Sequence, residues 1–94
     1  MRVGIVLISL KGIRLEKSFR LGFQASNNEA EYDVLLAGLW ISKQAEVAKL
    51  QQHYDFLLVV NQVNGEFEAK DQRMVSYLKE VRNLKGQFES VDIS

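Results

Sequence analysis

The sequence predicts an α/β domain ordered strand, strand, helix, strand, helix, helix, strand, with a hairpin at its start and a parallel return. Three observations carry that prediction. Val3 to Ser9 is a β-branched run joined by a short turn to a partly alternating segment. Asn28 to about Glu46 has the period of an amphipathic helix. The chain then passes through a short strand-like stretch, two further helical segments and a tail long enough for one last strand. Ninety-four residues, 47% hydrophobic and 26% charged, fit one small soluble globular domain. A chain of this size buries roughly 60 to 65% of its unfolded surface, so the loss of one central element would matter a great deal.

Val3 to Ser9 alternates little, as suits a strand buried on both faces or covered by helices. Leu10-Lys11-Gly12 is a turn, and Ile13 to Leu21 returns as the second arm of an antiparallel hairpin, with Arg14, Glu16, Lys17 and Arg20 on its solvated face. Ser26 and Glu29 have the spacing of a capping box, which gives Glu29 a structural task and leaves Glu31 without one. The helix that follows carries Tyr32, Leu35, Leu36 and Leu39 at i, i+3, i+4 and i+7, and Trp40 beside them reads as core or subunit interface. Leu50 to Tyr54 falls where a short strand is needed, although Gln51, Gln52 and His53 are poor residues for a buried strand. Phe56 to Val63 reads as a short buried helix closing at Asn64-Gly65. Asp71 caps a second amphipathic helix that runs to about Leu84, with Met74, Tyr77, Leu78, Val81 and Leu84 on one side. Gly86 ends it, and Gln87 to Ser94 supplies the last strand.

Twelve basic residues balance twelve acidic ones, which argues against tight nucleic-acid binding driven by net charge. The absence of cysteine excludes disulfides and thiolate metal sites and fits a reducing compartment. The longest apolar run, Phe56 to Val60, is far short of the ~20 residues a membrane span needs, and no secretory signal precedes the first strand. These features lead us to expect an intracellular protein, cytoplasmic or nuclear, without a membrane association.

There is no phosphate loop, dinucleotide fingerprint or Ser-His-Asp arrangement. The single histidine, His53, reads as structural or exposed. Two carboxylates remain: Glu31 at a helix start and Asp55 at a strand end, positions that converge at one edge of an α/β sheet. Such a pair suits a hard divalent cation such as Mg²⁺, which binds through one or two carboxylates and keeps several waters.

The segments Ser26-Asn27-Asn28-Glu29-Ala30-Glu31-Tyr32, Asp55, Leu58-Val59-Val60-Asn61-Gln62-Val63-Asn64-Gly65 and Glu68-Ala69-Lys70-Asp71 closely resemble the ribonuclease H-like domain of plant long-terminal-repeat retrotransposon polyproteins. The resemblance runs from Gly4 to about Val91. It implies a mixed sheet flanked by helices, and it assigns Glu31 and Asp55 as inherited catalytic metal ligands. Members of that family cleave the RNA strand of RNA–DNA hybrids with two Mg²⁺ ions ~4 Å apart, held by several carboxylates.

The resemblance also implies differences. The family's first aspartate lies on an opening central strand that this sequence does not include. Its last lies on a C-terminal helix beyond the final strand, and Asp92 does not match it. After Asp55 the family usually has Ser-Gln where this chain has Phe56 and Leu57, and it is usually aliphatic where this chain has Gln52. The gap left by the central strand is expected to close by direct pairing of Val3–Ser9 with Leu50–Tyr54, or by a strand from a partner, a second copy included. The functional expectation is a retroelement-derived domain that has lost catalysis and serves as a protein-interaction or self-associating module, with Mg²⁺ at most loosely held. The alternative is a Mg²⁺-dependent endoribonuclease acting on RNA–DNA hybrids.

Overall fold

The structure, a computed structural model, describes residues 2–20 and 28–94. The elements are β1 (Arg2–Ile8), β2 (Arg14–Arg20), α1 (Asn28–Gln44), β3 (Lys49–Tyr54), α2 (Leu57–Val63), α3 (Gln72–Lys85) and β4 (Ser90–Ile93). The strands form one sheet in the order β2-β1-β3-β4, with both neighbours of β1 antiparallel to it and β4 parallel to β3. Of the two expected ways to close the sheet, direct pairing is therefore the one observed. Val3 lies opposite Tyr54, Leu7 opposite Leu50 and Ile8 opposite Lys49.

Strand alternation divides the sheet into unlike faces. Val3, Ile5 and Leu7 of β1, Leu50 and Tyr54 of β3, and Val91 and Ile93 of β4 point to the side where the helices pack. Gly4, Val6, Ile8, Gln51 and His53 take the other side, which carries no helix among the described residues. Helix α1 buries Tyr32, Leu35, Leu39 and Ser42 along one stripe, and α3 meets it with Met74, Leu78 and Val81. The Tyr32 ring stacks on Tyr77 at 5.4 Å, and its hydroxyl donates to Gln62 Oε1 at 2.8 Å, so one side chain ties all three helices together.

Trp40 departs from one of its two expected places, the core. It is 57% exposed, one residue past the buried Leu39 and turned about 100° away from the core stripe, so it is not a core residue. Helix α1 ends earlier than its periodicity suggests, because Glu46 adopts a left-handed conformation at φ 55°. Gly65 closes α2 with φ 81°, whereas Gly86 ends α3 in an ordinary right-handed conformation. Asp71 caps α3 as the sequence indicates, its carboxylate accepting from the Arg73 amide at 2.8 Å. Of the capping box, Ser26 lies outside the described residues. Glu29 instead accepts from the Arg73 guanidinium at 2.8 Å, which joins the starts of α1 and α3.

Candidate functional site

Antiparallel pairing of β1 with β3 brings the start of the first strand to the end of the third. Arg2 continues that ladder, and its backbone N–H donates to Asp55 Oδ2 at 2.9 Å. Asp55 is thereby held at the sheet edge by the chain itself, with its carboxylate exposed. Helix α1 lies over β3 and places Glu31, half-buried, on its first turn.

Glu31 lies within the electrostatic reach of Asp55. Burial first, and the negative charge of Asp55 second, hold the Glu31 carboxyl above the ordinary carboxylate range. Glu31 on the first turn of α1 is therefore near enough to Asp55 at the end of β3 to feel its charge. Among the described residues no third Asp, Glu, His or Cys joins the pair to form a larger ligand cluster, and the remaining residues include none of these types. Such a donor set fits one Mg²⁺ ion, with water completing its shell. It does not by itself hold two ions in the arrangement that two-metal cleavage requires.

The raised Glu31 carboxyl makes stability depend on pH. Its protonated form is favoured in the fold, so its stabilising contribution is complete below the unfolded-state value and is lost as pH rises through the folded-state value. Glu31→Gln, neutral at every pH, is expected to stabilise the fold at neutral pH by less than about 1 kcal/mol, since solvent screens much of the interaction. Below that window the substitution should be without benefit. Denaturant unfolding at neutral and acidic pH measures both.

Two features around the pair were not legible in the sequence. Gln52 is fully buried beneath α1, its Oε1 accepting from the Tyr54 hydroxyl at 2.6 Å, while its Nε2 has no partner. Burial also drives the Tyr54 phenol far above its ordinary pKa. Phe56 takes the cap position of α2 without a side-chain hydrogen bond; it is buried and stacks on Tyr54 with ring centroids 4.9 Å apart. Packing therefore replaces capping at the residue after Asp55. His53 lies on the helix-free face, exposed, with Nδ1 in hydrogen-bond contact with the Ser94 hydroxyl. A cleft of about 600 Å³ opens on this face, lined in part by Arg2, Ser18, Arg20, His53 and Asp55.

The family described as reverse transcriptase-like matches residues 2–94. Among solved structures, RNase H1 from the halophilic archaeon Halobacterium salinarum NRC-1 is similar, with a TM-score of 0.72 and 30% identity over 99% of this chain and 70% of that one. The N-terminal RNase H domain of a Mycobacterium tuberculosis protein, solved as a fusion with maltose-binding protein, shares the fold, with a TM-score of 0.70 and 24% identity over 94% of this chain and 68% of that one. No curated protein matches the chain. No helix among the described residues is long and apolar enough to cross a membrane. The chain belongs to the reverse transcriptase-like family and is an RNase H-like domain.

Proposed function

We propose that this RNase H-like domain is a binding module in which Glu31 and Asp55 hold one divalent cation loosely and do not cleave nucleic acid. The observation that supports the reading is the composition of the site: Glu31 feels the charge of Asp55, Asp55 already accepts a backbone N–H, and among the described residues no third Asp, Glu, His or Cys joins them. RNase H-like proteins typically use Mg²⁺, and two carboxylates have the chemistry to attract that ion but do not by themselves place two. On this reading the domain acts through protein association at the sheet, with a protein partner or a second copy of the chain.

The second reading is a Mg²⁺-dependent endoribonuclease acting on RNA–DNA hybrids. Membership of the family favours it, as does the cleft beside Asp55, where Arg2 and Arg20 oppose each other across two strands and could face phosphates. An assay of hybrid cleavage with Mg²⁺ or Mn²⁺ separates the two readings. We expect no cleavage beyond that shown by Glu31→Gln or Asp55→Asn. Cleavage by the unaltered chain that either substitution abolishes would establish the enzyme and overturn the binding-module reading.

A further inference from the structure

The two edges of the sheet are unequally protected. At one edge, β4 is four residues long. Ser90 and Ser94 turn their amides toward β3, so Ile93 turns its backbone outward, and its carbonyl is already taken by Asn64 Nδ2 at 2.7 Å. At the other edge, β2 is seven residues long and exposed throughout. The Ser9 amide donates to the Ile13 carbonyl at 2.9 Å, which fixes the phase of the hairpin ladder. By antiparallel alternation Leu15, Lys17 and Phe19 bond to β1, and Arg14, Glu16, Ser18 and Arg20 turn their N–H and C=O groups away from the sheet.

Beside that edge, which no other described strand pairs, lies on the helix side a groove of about 130 Å³. Leu7, Leu15 and Phe19 of the sheet and Ile41 and Ala45 of α1 line it, and Leu15 and Phe19 remain about half exposed. Lys17 is the one charged side chain among the described residues of this lining, and it sits between Leu15 and Phe19 on the same face of the strand. An inward-facing lysine on an edge strand opposes indiscriminate pairing, because any neighbour must place something acceptable against it.

A second copy paired antiparallel over the full length of β2 does not. Pairing β2 with itself antiparallel over its full length would set Lys17 against Lys17 and Arg14 against Arg20 at both ends, and like charges directly opposite are destabilising. The strand carries Arg14, Lys17 and Arg20 against Glu16 alone.

We propose that the β2 edge is a docking site for an extended acidic segment of a partner protein, added as a fifth strand antiparallel to β2. Its recognition pattern is apolar, any, acidic, any, apolar: the outer residues fill the groove against Phe19 and Leu15, and the central carboxylate meets Lys17. Main-chain bonds to Arg14, Glu16, Ser18 and Arg20 supply affinity, and the groove supplies specificity. This rests on the reading of the chain as a binding module, but it uses no residue of the carboxylate pair.

The test uses the full chain and a fluorescent peptide, Ser-Val-Thr-Glu-Thr-Ile-Ser, with a second peptide in which lysine replaces the glutamate. Anisotropy titration is expected to give saturable binding of the acidic peptide and at least tenfold weaker binding of the basic one. Lys17→Glu, at an exposed position, is expected to reverse that order. Bound acidic peptide should slow hydrogen exchange at the Glu16 and Ser18 amides. Equal binding of both peptides, absence of binding, or binding without protection of those amides overturns the proposal. So does a stable dimer by light scattering from which peptide is excluded. The hybrid-cleavage assay reports on the carboxylate pair independently, so failure of one reading is distinguishable from failure of the other.

Discussion

Gly38→Val is expected to lower the unfolding free energy by about 1 to 3 kcal/mol, the range for overpacking a filled core. A Cβ at position 38 would lie 2.8 Å from the Tyr54 hydroxyl oxygen and 3.1 Å from Gln52 Nε2. Neither neighbour yields readily. The two side chains are buried, bonded to each other, and carried on the central strand β3. Glycine in mid-helix costs about 1 kcal/mol relative to alanine, and here that cost permits α1 to approach a polar pair that the core would otherwise exclude. Gly38→Ala should therefore show two opposing terms: the propensity gain, and an overlap that outweighs it. In a Tyr54→Phe background the nearer obstacle is gone, and the same Gly38→Ala change should become less destabilising. A double-mutant cycle by denaturant unfolding reads that coupling directly.

Leu35→Ala is expected to cost about 2 to 5 kcal/mol, the range for truncating a fully buried leucine. Leu35 is wholly inaccessible in the centre of the α1 stripe, in the cluster that joins all three helices to β1, β3 and β4. Total stability for a domain of this size is roughly 5 to 14 kcal/mol, so this one change removes a large share of it. Trp40→Ala provides the contrast. Exposed and off the stripe, Trp40 should shift stability by no more than about 0.5 kcal/mol despite being the largest side chain in the helix.

These cases show what can be read from the chain and what cannot. The helices were legible because their signals are local: apolar spacing from Tyr32 to Leu39, the cap at Asp71, and Gly65 after Asn64. The hairpin was legible for the same reason. Trp40 lies outside the core because bulk and apolarity say nothing about phase, and at 100° per residue it falls off the buried stripe. Gln52 seemed unsuited to a central strand because its partner, the Tyr54 hydroxyl, becomes a partner only when both side chains lie under α1 at Gly38.

The carboxylate pair was legible as two residues at positions that usually converge. That Arg2 fastens Asp55, whose charge Glu31 feels, depends on the long-range pairing of β1 with β3, which no local pattern specifies. The protected and open edges were equally hidden. Asn64 guards β4 only because α2 ends beside it, and Lys17 becomes a selective feature of β2 only once Leu15, Phe19 and α1 surround it.

The most direct test of the account is a Mg²⁺ titration followed by carbon-detected NMR of the Glu31 and Asp55 side-chain carboxyls. One weak, saturable event is expected, which shifts both resonances together, moves the Glu31 titration toward lower pH, and disappears in Glu31→Gln. Cooperative uptake of two ions, or carboxyl resonances indifferent to Mg²⁺, would contradict it.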